Sequence, residues 1–301
     1  MHERPSSAES ADLGVAGWSA VGVTAHAAVA ARMADIPRLR DLAPPEGAPA
    51  PPPRFLRHAD EQTVVGLRAV LAAIAAIPAP RPSFAAHAVV AAPCRSGRFT
   101  AAQSLMLFRS GGGVTVTPHV VPQCSLHSLA GAVSVALGMH GPNIGVGGGR
   151  HAVAEGLAVS LALLAPAAGD AGSLPGVWFV ATAWDEEPPL DESGRPLDAG
   201  TGAGLPREPV CRGIALVLEA EAGAASRPLA RLAVHHARPV AADDLRPADS
   251  AGTSAGDIRR LAGALAASPV ASVALPCPWG EEFRMGPAPA ATVAAPRRHA
   301  A

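Results

Sequence analysis

Lysine and tyrosine are absent from the 301 residues, aromatics make up 3%, and the four cysteines form no CxxC pair. Each absence excludes something. Without lysine there is neither a P-loop lysine nor a Schiff-base lysine, which removes two large enzyme classes. Every basic side chain other than histidine is therefore arginine, the formal net charge is −1, and no basic stripe is interleaved with aromatics. Nucleic acid is not an expected partner. Cys94, Cys124, Cys211 and Cys277 are too widely spaced for a zinc ribbon or a disulfide framework, so they are expected reduced and mostly buried, with no metal and no cofactor. The opening MHERPSSAESADLG carries acids and no apolar core, unlike a signal peptide. The most apolar long window, Ala152 to Ala168, contains Glu155 and Pro166 and falls short of the roughly 20 residues that span a bilayer. These readings predict a soluble, cytoplasmic protein without a membrane span.

What is present is a chain that is 49% hydrophobic, enough for a sizeable α/β core. The abundance of alanine, glycine, proline and arginine reads as the mark of a genome rich in G and C rather than of a mechanism. After a tail over residues 1–12, Leu13 to Val23 reads as a first buried strand with its turn, and the proline-rich Ala43 to Pro53 as a surface loop. Val64, Leu67, Val70, Leu71 and Ile74 recur at helical spacing, which predicts an amphipathic helix with Asp60, Glu61 and Arg68 on its other side and an end before Pro78. Ala86 to Ala92 reads as a buried strand, and Arg98 to Phe108 as a helix closed by Gly111-Gly112-Gly113. Ser125 to Leu137 is another helix, whose Ser128, Ala130, Gly131 and Ala132 permit close backbone packing. Leu157 to Leu164 belongs to a helix apolar almost all round, hence an interior one. Val177 to Ala183, Gly213 to Glu219, Leu229 to His235 and Val270 to Leu275 are strand candidates, and Asp257 to Ala267 a helix. Trp184 to Pro209 is a long polar excursion, read as a mobile loop.

The run from Val114 to Leu164 carries the most specific signal. Pro118, Val121, Pro122, Ala130, Gly131, Val133, Ser134, Leu137, Gly138, Gly141, Pro142 and Asn143 occur in the order in which β-ketoacyl synthases of the thiolase-like superfamily approach their active-site cysteine. The chain resembles that family, more weakly from Arg54 to Ile74 and over Gly213 to Glu219. The resemblance implies a thiolase-like layered αβαβα fold with a complete N-terminal half, residues 13–240, and a reduced C-terminal half, residues 241–286, followed by a disordered tail over 287–301.

In that family a sharp turn after Gly-Pro-Asn presents the cysteine at a helix N-terminus, where the helix dipole and free N–H groups favour the thiolate. Here the turn is Gly147-Gly148-Gly149 followed by Arg150 and His151, and the nucleophile position falls on Arg150 or, with a one-residue slip, on Gly149. Neither accepts an acyl group. Pro276-Cys277-Pro278 stands where the first His-Gly-Thr motif is expected, and neither a second histidine motif nor the Gly-Phe-Gly-Gly loop occurs. A synthase-like chain without its cysteine resembles the chain length factors, which implies pairing with an active ketosynthase as a heterodimer, an acyl carrier protein as second partner, and polyketide, aryl polyene or fatty-acid assembly as the setting. Carried onto this sequence, the tunnel and interface segment of that class falls on His119 to Leu129, with Gln123, Cys124, Leu126 and His127 as contacts.

Other signals compete. A Cys124/His127 pair would suit a free-standing acyltransferase or thioesterase, although no oxyanion donor accompanies it. The glycine turn could cradle a phosphate, but without lysine or a dinucleotide fingerprint. Gly252 to Gly256 spells the hydrolase elbow GxSxG, but the polar stretch before it is no strand, so Ser254 reads as a helix N-cap. His235 and His236 alternate across a strand and cannot share a metal.

Overall fold

The computed structural model describes residues 20–52, 54–118, 120–165, 174–197, 208–220, 228–236 and 254–288. The expected tail at 1–12, the turn residues before 20 and the boundary near 240 lie outside them, as does the expected disordered tail 287–301 except for its first two residues, of which Pro287 is ordered as the last residue of a strand. One sheet of eight strands organises the described residues, in the order β3-β2-β4-β5-β1-β6-β8-β7. The strands are β1 (Val21–Arg32), β2 (Ala88–Pro93), β3 (Asn143–Gly145), β4 (Val177–Trp184), β5 (Val210–Ala220), β6 (Ala230–His236), β7 (Val273–Pro276) and β8 (Glu281–Pro287). β2 runs parallel to β3 and β4, and all other pairings are antiparallel. β2 and β4 are buried along their whole length, as their unbroken apolar runs require of strands covered on both faces.

Two helical layers cover the sheet. α2 (Glu61–Ala76) and α5 (His127–Leu137) lie on one face with Val89, Trp178, Val180 and Val217, while α6 (Ala152–Leu164) and α7 (Ser254–Ala266) lie on the other with Val90, Phe179, Ile214 and Leu216. This is the mixed α/β architecture expected of the thiolase-like class. Among the described residues after 241, the β7–β8 hairpin extends the same sheet and α7 packs on it. Among the described residues no helix is long and apolar enough to cross a membrane.

Several elements depart from the sequence reading. β1 begins at Val21 and runs twelve residues to Arg32. α2 is not amphipathic in the expected sense. Asp60 is buried at its N-cap, accepting from the N–H groups of Gln62 and Thr63 at 2.8 and 3.0 Å. Arg68 is buried too, its guanidinium donating to the carbonyls of Leu39, Leu42 and Ala43. Polar residues here serve backbone partners rather than solvent. Close packing falls on Gly66 of α2, whose missing Cβ leaves room for Leu129, and not on Gly131, which has only His127 of its own helix within 4 Å. The excursion after Trp184 is built over its described part: Asp191 accepts from the backbone of Ser193 and Arg195, and Leu190 bridges Pro196. β8 is an additional strand.

Candidate functional site

The parallel strands β2 and β4 end at Pro93 and Trp184, and the loop beyond β2 meets the glycine turn before α6. Gly147 and Gly148 have φ of 79° and 92°, a region open to glycine with little strain. Arg95 N–H donates to Gly148 O at 3.0 Å, and Ser254 Oγ donates to Arg150 O at 2.9 Å and Gly149 O at 3.3 Å. Ser254, at the start of α7, thus fastens α7 to the turn instead of capping its own helix. Gly149 is open, and Arg150 is exposed, its Nε donating to His151 Nε2 at 3.0 Å. His151 stands at the N-cap of α6 without a side-chain capping bond.

No thiol or hydroxyl occupies the turn itself. The Ser254 hydroxyl bonds to its carbonyls, and Cys94, half-buried just after β2, bonds with Ser254, a convergence the sequence reading missed. Burial pushes its thiol up, and Glu187 adds to this, against a hydrogen bond with Ser254 and the charge of Arg95. Its carbonyl accepts from Gln62 Nε2 at 2.7 Å, while Gln62 Oε1 accepts from the buried Thr182 hydroxyl at 2.9 Å. Cys277 is buried and its thiol is pushed up to about 12, chiefly by burial. It stays protonated at neutral pH.

The expected contact residues divide into two groups. Leu126 lies over the turn: a Cβ on Gly145 would meet its carbonyl, and one on Gly148 would meet its Cδ2 at 2.9 Å. Cys124 closes α4 (Val120–Cys124) and packs against Gly97, just before α3 (Arg98–Gly111). Gln123 is half-buried and His127 exposed. No hydrogen bond joins Cys124 to His127 among the described residues, and burial followed by the Asp60 carboxylate pushes the Cys124 thiol up. Both effects oppose the thiolate that an acyl acceptor needs.

α3 and α4 stand off the body. Of α3 only Phe99 is buried, against Trp184 at 5.7 Å between ring centres, and Arg98 ties the helix to Glu187 at 3.2 Å and Pro188 O at 2.9 Å. Leu105, Phe108 and Val121 are 68%, 57% and 72% exposed, and with Val116, Val120 and Cys124 they line a groove of about 510 Å³. Exposed apolar side chains gathered in this way mark a contact surface. No group of three or more histidine, cysteine, aspartate or glutamate side chains suited to a metal occurs among the described residues.

No protein-family model matches the sequence, and no curated protein matches it. Solved structures do. One described as "The ishigamide ketosynthase/chain length factor" superposes with a TM-score of 0.52 at 16% identity, over 89% of this chain and 98% of that one. The chain has a ketosynthase-like fold. Two further structures are similar with lower scores: a type II PKS acyl-carrier protein in complex with its ketosynthase (TM-score 0.47, 16% identity, 73% and 69% coverage), and a β-ketoacyl synthase from Burkholderia phymatum STM815 (0.44, 17%, 72% and 64%). That likeness covers nearly all of the first of these chains.

Proposed function

We propose that this protein is a non-catalytic β-ketoacyl synthase homologue, a chain-length-factor-like subunit that pairs with an active ketosynthase and works with an acyl carrier protein in polyketide, aryl polyene or fatty-acid assembly. The observation that carries the reading is the turn before α6, where Gly149 is open and Arg150 exposed, at the positions that the resemblance assigns to the nucleophile of a condensing enzyme. A guanidinium stays protonated and cannot attack a thioester. Cys94 and Cys277 do not replace the missing thiol, since burial holds both in the protonated form. The exposed apolar side chains on α3 and α4, with Leu126 beside the turn, supply a surface for a partner. Among the described residues, the three-residue β3 is one edge of the sheet, paired with β2 alone.

Affinity purification of the protein from its native host, with the bound proteins identified by mass spectrometry, tests the pairing. A ketosynthase recovered in stoichiometric amount supports it. A monomer that brings down neither a ketosynthase nor an acyl carrier protein ends it. The free-standing acyltransferase reading on Cys124 and His127 predicts instead acyl-thioester turnover by the isolated chain that Cys124→Ala abolishes.

A further inference from the structure

Independently of any pairing, we infer that the open face of β6, β8 and β7 is a binding groove for a small organic phosphate, held by Arg231, Arg284 and His235. Side chains alternate across these strands, so Leu232, Phe283 and Met285 join the core on the α7 side while Arg231, Ala233 and His235 of β6 and Arg284 of β8 turn to the other face. The register sets Arg284 opposite Ala233 on one flank and opposite Ala274 on the other, with Arg231 and His235 two residues to either side of Ala233. Small residues between long ones leave a hollow. Ala233, Ala274 and Gly286 lie along it, and it measures about 540 Å³, within the roughly 300–1,000 Å³ of small-molecule sites. A Cβ on Gly286 would come within 3.3 Å of Ser272 Oγ, so the glycine leaves room beside that hydroxyl, which also lines the groove. No carboxylate lines it among the described residues. Glu282, across from His235, accepts from Nε of Arg284 and pairs with its Nη2, which steadies the guanidinium. An arginine offers five N–H donors, so each guanidinium can hold an anion while keeping a bond elsewhere. A carboxylate brings two oxygens to such a site; a phosphate monoester brings three, one for each of the three side chains. Donors gathered round one hollow suit a small ligand, whose organic part rests on the alanines, better than the broad face of an acidic protein.

The test titrates the full-length chain with phenyl phosphate, benzoate, inorganic phosphate and benzyl alcohol by calorimetry, at low and at high salt. Phenyl phosphate should bind tightest, about tenfold better than benzoate and about tenfold better than inorganic phosphate, which lacks the apolar body; benzyl alcohol should give no heat, and salt should weaken the phosphate. Phenylglyoxal labelling mapped by mass spectrometry locates the ligand: phenyl phosphate should slow labelling of Arg231 and Arg284 and leave Arg150, the exposed arginine beside the glycine turn, unprotected. Arg231→Gln and Arg284→Gln should each weaken binding about tenfold, and Ala274→Glu, which sets a carboxylate opposite Arg284, should weaken it as well. All three positions are exposed, so the unfolding midpoint should hold. No binding of phenyl phosphate, benzoate binding as tightly, binding unchanged in both glutamine variants, or equal protection of Arg150 overturns the inference. So does a polyglutamate peptide that protects Arg231 and Arg284 at lower concentration than phenyl phosphate, which would make this face a surface for an acidic protein.

Discussion

Replacing Gln62 by methionine removes the one side chain that joins α2 to the ends of both β4 and β2. Gln62 Oε1 takes the proton of the Thr182 hydroxyl, and Thr182 is fully buried; its Nε2 serves the carbonyl of half-buried Cys94. Methionine has nearly the same length and shape, so the loss is one of hydrogen bonding rather than of volume. A buried hydroxyl left without an acceptor costs about 1–3 kcal/mol, and the Cys94 carbonyl adds about 1 kcal/mol. The expected loss is therefore about 2–4 kcal/mol, a large share of the roughly 5–15 kcal/mol that holds a domain folded. Thr182→Val alone strands Gln62 Oε1 and costs about 1–3 kcal/mol by the same argument. The double variant leaves only the Cys94 carbonyl unpaired, so it costs less than the two single changes added together. Urea unfolding followed by tryptophan fluorescence, with unchanged m-values, measures all four corners of the cycle. A loss under about 0.5 kcal/mol for Gln62→Met, or simple additivity in the double variant, refutes the reasoning.

Three other outcomes follow from the same structure. Gly156→Ala on α6 places a Cβ 2.7 Å from both Ala92 Cβ and the Phe179 ring, and overpacking of about 1–3 kcal/mol outweighs the gain of about 1 kcal/mol in helix propensity; Gly131→Ala on α5 meets nothing closer than 3.8 Å and should stabilise, as melting curves of the two variants will read. Burial lowers the pKa of His26 and His87 below 6.5, so in that window the unfolded chain binds more protons and stability rises with pH up to 6.5; Asp60, Glu61, Glu187 and Asp257 are raised by burial, so just above ordinary carboxylate values stability falls as pH rises, and urea midpoints across pH should show both slopes, with His87→Phe weakening the first. Arg150→Cys should acquire no acyl group from an acyl thioester by intact-mass spectrometry, since the one imidazole that bonds to the residue there, His151, is its own chain neighbour, and among the described residues no second histidine bonds at the turn; stoichiometric loading would contradict the account of the site.

Much of the fold can be read from local pattern. The unbroken apolar runs Val177 to Ala183 and Gly213 to Glu219 are β4 and β5, and the glycines after Phe108 do close α3, with Gly112 at φ 75°. β8 is hidden because EEFRMGP turns only Phe283 and Met285 fully inward and follows its partner strand through a turn containing Trp279 and Gly280, so charge masks the alternation. β1 is longer than it reads because its alanines carry weak strand preference, and pairing with β5 along Val21 to Arg32 supplies what propensity lacks. The polar residues of α2 misled for a related reason. Arg68 and Asp60 look solvent-facing until the carbonyls of Leu39, Leu42 and Ala43, and the amides of Gln62 and Thr63, are seen to need them. At the site, the glycine turn and the exposed Arg150 beside it are visible in one short stretch. The approach of Cys94 and Ser254 to that turn is not, because it depends on three elements far apart in the chain.

The central claim is that the protein acts by partnership and not by its own condensation chemistry. Size-exclusion chromatography with light scattering, on the chain alone and co-expressed with a ketosynthase that copurifies with it from its native host, tests this most directly. The account predicts a stable one-to-one complex that Phe108→Asn and Val121→Asn weaken, with condensation activity that Cys94→Ala, Cys124→Ala and Arg150→Ala in this chain leave intact. A chain that stays monomeric beside the ketosynthase and condenses acyl and malonyl thioesters by itself would contradict it.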